Sequence, residues 1–155
     1  MQEDTDKIKA KLLHYCSVEE RCEKQVYEKA VGKGMTKQET VEFIARLKQE
    51  GYLNEQRFAM IFATSKLHQN KWGPEKITWE LLQRGIARGI IQKVLHEMKE
   101  EEFVETACRL IRKKIPQWQH LSAWEQEQKL KQYLHGKGYS SQLIEQAIRS
   151  AYMHK

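Results

Sequence analysis

Helix breakers are almost missing from this chain, which has two prolines and eight glycines in 155 residues. That scarcity excludes a Pro/Gly-rich or low-complexity architecture and favours helix over sheet. Cysteine is equally sparse. Cys16, Cys22 and Cys108 cannot all pair, so a disulfide scaffold is disfavoured and a reduced, cytoplasmic protein is expected. No apolar run approaches the roughly 20 residues that span a bilayer. The acidic start (Glu3, Asp4, Asp6) has no signal-peptide character, so no membrane partner is expected. Phosphate-loop chemistry is also lacking, because Gly32-Lys33-Gly34 has neither the spacing nor a preceding strand. His14, Cys16 and Cys22 match no common zinc spacing. His68, His96, His120, His135 and His154 are scattered, and Glu100-Glu101-Glu102 reads as a solvated first helical turn. These absences point away from an enzyme and from any cofactor or metal.

What is present is a threefold internal echo. A basic-glycine-apolar corner occurs as Lys33-Gly34-Met35, Arg84-Gly85-Ile86 and Lys137-Gly138-Tyr139, with glycines 51 and 53 residues apart. Glycine after the last apolar-periodic residue ends a helix, because it enters the left-handed region without penalty. Four positions before it stand Ala30, Leu81 and Leu134, and eight before it Val26, Ile77 and Leu130. Six after it come Thr40, Ile91 and Ile144, and ten after it Ile44, Leu95 and Ile148. Steps of four on both sides place one buried helical stripe before each corner and another after it. The expected fold is all-α: a tandem array of three three-helix modules, helix-turn-helix-like, elongated and curved, over 1–53, 54–98 and 99–155.

Capping signals mark the helix starts. Ser17-Val18-Glu19-Glu20 is expected to open a helix running to Gly32. Thr36-Lys37-Gln38-Glu39 is expected to open one that buries Val41, Ile44 and Leu47. Asn54 is a good N-cap ahead of Phe58, Ile61 and Phe62 on one face, and Pro74 suits a first helical position after Gly73. Ser122 and Ser140 cap the last two helices, and Pro116 ends the one before them, leaving a loop over 115–121. Trp72 has the spacing to staple onto Ile77, and Trp79 is expected to cover a join between modules. Both could instead stack on bases or anchor a protein interface.

Net charge is +6 and unevenly spread. Residues 1–53 carry ten basic and ten acidic side chains, 54–98 seven and four, and 99–155 ten and seven. Lys66, Lys71, Lys76, Arg84 and Arg88 surround the Gly73-Pro74 turn, while Arg109, Arg112, Lys113 and Lys114 lie close on one helix. A polyanion or an acidic protein face is the partner such clusters fit; a solvated helix face is the plainer reading.

The middle module carries a more specific signal. Leu53-Asn54-Glu55-Gln56-Arg57-Phe58-Ala59, then Trp72-Gly73-Pro74-Glu75-Lys76-Ile77, then Glu80-Leu81-Leu82-Gln83-Arg84-Gly85-Ile86 resembles the signature of the RecX family. The likeness extends along nearly the whole chain; the third module departs from it most. The resemblance implies a cytoplasmic, non-catalytic bacterial regulator in DNA recombination, repair and the SOS response. Its partner would be the RecA recombinase filament on DNA, whose assembly, ATP hydrolysis and strand exchange it would mostly inhibit. Under that implication Lys66, Lys71, Trp72, Lys76, Arg84, Arg88, Arg109, Arg112, Lys113 and Lys114 are candidate filament or phosphate contacts. Asn54, Arg57, Phe58, Ala59, Gly73, Pro74, Ile77, Leu81, Gly85 and Ile86 are expected to be architectural. A monomer is expected, with weak direct contact to single- or double-stranded DNA. The alternative is a basic helix-turn-helix-like module that acts on DNA by itself.

Overall fold

The structure is a computed structural model and describes residues 4–153; Glu3 and His154 lie outside the described residues. Among the described residues the chain is all-α, as its composition indicated, with no strand. Its helices are α1 (Thr5–Val18), α2 (Glu23–Gly32), α3 (Lys37–Gln49), α4 (Glu55–Ser65), α5 (Pro74–Gln83), α6 (Arg88–Glu97), α7 (Glu100–Lys114), α8 (Ala123–Lys137) and α9 (Ser141–Met153). A π turn, Lys66–Asn70, extends α4, and a 3-10 turn, Ile115–Trp118, extends α7 across the segment read as a loop. Among the described residues no helix is long and apolar enough to cross a membrane. The chain divides into two compact units. One contains residues up to Ile61 together with Leu81–Ile91, and the other contains Phe62–Glu80 and the chain from Gln92 onward.

The three corners repeat in atomic detail. Gly34, Gly85 and Gly138 all have positive φ, at 108°, 80° and 100°. The glycine N–H donates to the carbonyl three residues back in each copy, on Val31, Leu82 and His135, at 3.0 Å every time. The next N–H, on Met35, Ile86 or Tyr139, donates five residues back to Ala30, Leu81 or Leu134, at 3.1 Å every time. These paired bonds form a Schellman motif, which satisfies carbonyls that the ending helix would leave orphaned. The aligned apolar positions behave alike as well. Ala30, Leu81 and Leu134, their partners Val26, Ile77 and Leu130, and the residues after each glycine are all buried. Thr40, Ile91 and Ile144 are buried, and Ile44, Leu95 and Ile148 partly so.

In the first unit α1 contributes Ile8, Leu12 and Cys16 at steps of four to a core shared with Val26, Ala30, Met35, Phe43, Leu47 and Leu53. Each such side chain contributes about 1.5–3 kcal/mol when fully buried. Two local expectations fail here. Ser17 does not open a helix: α1 runs through Val18, and the Ser17 hydroxyl donates back to the His14 carbonyl at 2.7 Å. Inside a helix, serine satisfies its hydroxyl on the preceding turn and loses its capping role. Helix α2 starts instead after Cys22, whose N–H is taken by Gln25 Oε1 at 2.9 Å. Val41, expected to be buried, is 61% exposed, because the buried stripe of α3 is Thr40, Phe43 and Leu47. The Thr40 hydroxyl is accommodated by donating to the Thr36 carbonyl at 2.7 Å. The Thr36 cap stands as read, its side chain accepting the Glu39 N–H at 3.1 Å.

In the second unit α7 packs against α9 and α8, burying Phe103, Ala107 and Ile111 with Leu130, Leu134, Ile144 and Ala147. Cys108 belongs to this core, and its thiol donates to the Ala147 carbonyl at 3.4 Å. All three cysteines are buried free thiols whose pKa burial pushes up. The caps at Ser122 and Ser140 are made, accepting from Glu125 N–H and Leu143 N–H, both at 3.2 Å.

The Gly73-Pro74 turn has a further reason to be there. Gly73 N–H donates to the Lys137 carbonyl at 2.8 Å, and Glu75 N–H to the Gly138 carbonyl at 2.9 Å. Tyr139 is fully buried, and its hydroxyl donates to the Lys71 carbonyl at 3.0 Å. Burial pushes that phenol well above its usual pKa, which keeps it a proton donor. Lys71, which follows the π turn, has φ 61° and is the one non-glycine with positive φ among the described residues. The start of α5 is thus hydrogen-bonded, backbone to backbone, onto the third corner.

Candidate interaction surface

The candidate contacts are distributed by the fold into distinct settings. Lys66 lies in the π turn, and Trp72 follows its end, which brings both toward Phe62 on the last turns of α4. The Trp72 and Phe62 rings meet edge to face at 6.3 Å. Lys66 Nζ is 5.0 Å and Lys76 Nζ 4.8 Å from the Trp72 ring centre, and Lys66 also sits 5.5 Å from Phe62. Each contact of this kind contributes about 0.5–1 kcal/mol at an accessible site. Trp72 is therefore the hub of an aromatic pair flanked by two cations, half-buried and not sealed in the core. Lys71 turns its ammonium back to the His68 carbonyl at 2.6 Å, which caps the π turn.

A second cluster forms where α7 gives way to the 3-10 turn. Lys114 Nζ is 4.7 Å from the Tyr133 ring centre and 5.7 Å from that of Trp118, and Lys129 Nζ is also 5.7 Å from Trp118. Trp118 and Tyr133 meet edge to face at 6.5 Å. Gln126 Nε2 donates to the carbonyls of Trp118 (3.0 Å) and Leu121 (3.2 Å), fixing the connection to α8. Beside it on α7, Arg112 and Lys113 are exposed, whereas Arg109 is exposed but paired with Glu105 at 2.5 Å. The sequence reading named Lys114 but missed Lys129 and Tyr133. The available signal was their spacing of four on α8, which puts them on one helix face.

Arg84 and Arg88 belong to the other compact unit, so the group read around Gly73-Pro74 is divided between the two. Arg84 is half-buried and Arg88 opens α6 fully exposed. Trp79, read as covering a join between modules or else anchoring an interface, is 58% exposed, and Ile61 is 50% exposed. On α4 the buried stripe is Phe58, Ala59 and Ala63, one helical step away from Ile61.

The remaining motif residues lie in the framework. Asn54 Oδ1 accepts the Arg57 N–H at 2.9 Å, capping α4. Arg57 is ion-paired with Glu20 through Nε and donates to the Gly51 carbonyl at 3.0 Å. Phe58, Ala59, Ile77, Leu81 and Ile86 are buried; Gly73, Pro74 and Gly85 shape the two ends of α5.

Comparison with known proteins decides the family. Residues 54–95 match the model of the RecX second three-helix domain and residues 100–148 that of the third, together more than half of the chain. The chain belongs to the RecX family. Proteins named "Regulatory protein RecX" from Bacillus cytotoxicus and Oceanobacillus iheyensis are each 30% identical to it, over 92% and 88% of this chain. A third, from Caldanaerobacter subterraneus, is 32% identical over 81%. The chain spans 53%, 50% and 61% of the lengths of these relatives. Its fold is also that of the crystal structure of RecX from Lactobacillus salivarius, with TM-score 0.91 and 24% identity over 99% of both chains.

Proposed function

We propose that this RecX-family chain is a non-catalytic regulator that binds the RecA recombinase filament on DNA and restrains its assembly, ATP hydrolysis and strand exchange. Family membership carries this reading, since the relatives are named as regulatory proteins. The two cation–aromatic clusters supply surfaces suited to an acidic protein face or to phosphate. A helical framework that grips neighbouring filament subunits favours whichever relative orientation it binds best. It thereby opposes the motions of the hydrolysis cycle. Cytoplasmic location and a role in recombination and repair follow from that partner.

The test is binding to RecA assembled on single-stranded DNA with a non-hydrolysable ATP analogue, beside naked single-stranded DNA at the same salt. Preference for the filament by about tenfold or more, some 1.4 kcal/mol, is expected. Equal or tighter binding to naked DNA would overturn the reading. Lys113→Glu is expected to weaken filament binding with an unchanged circular dichroism spectrum; unchanged binding would remove Lys113 from the surface.

A second reading, direct contact with DNA, is favoured by the Trp118–Tyr133 pair with Lys114 and Lys129, the mixture of rings and cations that single strands stack and pair on. It requires a steep fall of naked-DNA affinity with salt.

A further inference from the structure

Residues 1–53 carry no net charge, yet four of their cations line one cleft beside α1 and α2. An open cleft of about 480 Å³ is lined by Lys11, His14, Tyr15, Val18, Arg21, Lys29 and Lys33, with Ala10. Four of these are obligate cations and none is acidic. Tyr15 organises them: the Arg21 guanidinium carbon is 3.8 Å and Lys29 Nζ 4.0 Å from its ring centre. Arg21 is further held by donating from Nε to the Tyr15 carbonyl at 3.0 Å, and its side chain is only 14% exposed. Its outer nitrogen reaches Glu19 at 3.6 Å, a 67% exposed carboxylate at the edge. Arg21 and Lys29 are therefore pre-placed, and ordering them on binding costs little entropy.

The floor is apolar. Val18, on the last turn of α1, is 62% exposed, a large aliphatic side chain with nothing over it beside a ring of positive charge. We propose that this cleft docks an acidic peptide segment of a partner protein, with an aliphatic side chain seated on Val18 and carboxylates facing Arg21, Lys29 and Lys33. Charge complementarity selects the carboxylates and the exposed Val18 selects the aliphatic anchor. A small free anion would be too little enclosed, since small-molecule sites bury most of their ligand. A nucleic-acid strand fits less well. The cations surround one depression instead of tracking a backbone, and cations already occupy the Tyr15 ring on which a base would stack. The site involves none of the residues assigned to filament contact and stands independently of that reading.

The experiment is fluorescence anisotropy of the full chain with two probes. One is a labelled ten-residue peptide of alternating Glu, Asp and Leu, and the other a labelled twenty-nucleotide oligothymidylate. Peptide binding is expected to weaken about tenfold in Lys29→Glu/Lys33→Glu through lost charge pairing. Val18→Ser should weaken it about threefold through lost apolar contact. Both substitutions lie at the surface, and an unchanged circular dichroism spectrum shows that the fold is kept. Peptide binding that responds to neither substitution overturns the proposal, as does no peptide binding at all. Oligothymidylate binding that falls with the lysine pair but ignores Val18→Ser would reassign the cleft to nucleic acid.

Discussion

The corners at Gly85 and Gly138 have the same sequence pattern, the same positive φ and the same pair of hydrogen bonds, yet their glycines serve different ends. A methyl group placed on Gly85 would meet nothing within 4 Å. There, glycine is needed only because the left-handed backbone disfavours a Cβ. A methyl group on Gly138 would run into Lys76, reaching its backbone N at 2.7 Å and clashing with its Cβ. On the facing strand of chain, a methyl on Gly73 would lie 2.5 Å from the Gly138 carbonyl oxygen. Gly73 has no positive φ, so its glycine answers to close approach alone. One repeated motif thus ends a helix in one place, and in another also forms the socket for the start of α5.

Substitution separates the two roles. Gly138→Ala combines a left-handed alanine with overpacking against the start of α5, and should cost about 3–5 kcal/mol. A drop in thermal midpoint of roughly 10 °C measures it. Gly73→Ala meets only the clash and should cost about 2–3 kcal/mol. Because both changes break the same contact, the double variant should fall short of the sum by about 1 kcal/mol or more. Strict additivity would show that the two glycines do not face each other. Gly85→Ala comes next, at about 1–2 kcal/mol from backbone strain alone. A loss at Gly85 equal to that at Gly138 would erase the distinction between the corners.

Most of the framework was legible because the repeat averages out local accidents. Thr40 has little in common with Ile91 and Ile144 as a residue, yet alignment on the glycines placed all three inside. The errors arose where one copy was read alone. Ser17 looked like a cap since its neighbours fit the pattern, but α1 continues through Val18. Val41 and Ile61 are apolar residues one position off their stripes, which hydrophobicity cannot distinguish without the register. The Gly73–Gly138 contact was hidden for another reason. Both glycines already had sufficient local explanations, as a helix start and a helix stop, so nothing in the sequence asked for a third. The same holds for the candidate surface, where the cations and Trp72 were evident but the places of Phe62 and Tyr133 beside Lys66 and Lys114 were not.

The two regions should also differ in their response to pH, by a smaller amount. Glu55 opens α4 in the unit that contains Gly85, with burial and the neighbouring Glu23 carboxylate raising its pKa to about 7. Lys48, ion-paired with Glu23 at 2.7 Å, opposes that shift. A carboxyl whose pKa is higher folded than unfolded binds its proton more tightly when folded. Its stabilising contribution is complete below the unfolded value near 4.3 and is lost as pH rises through about 7. Glu55 is only partly buried, so screening should hold the effect to about 1 kcal/mol. Denaturant midpoints taken between pH 5 and pH 8 should therefore fall as pH rises, and Glu55→Gln should flatten that slope and raise stability at pH 8. In a Gly138→Ala background the slope should persist unchanged, because the carboxylate pair and the weakened socket belong to different units. A slope that vanished with Gly138→Ala would mean that the corner and the carboxylates unfold as one.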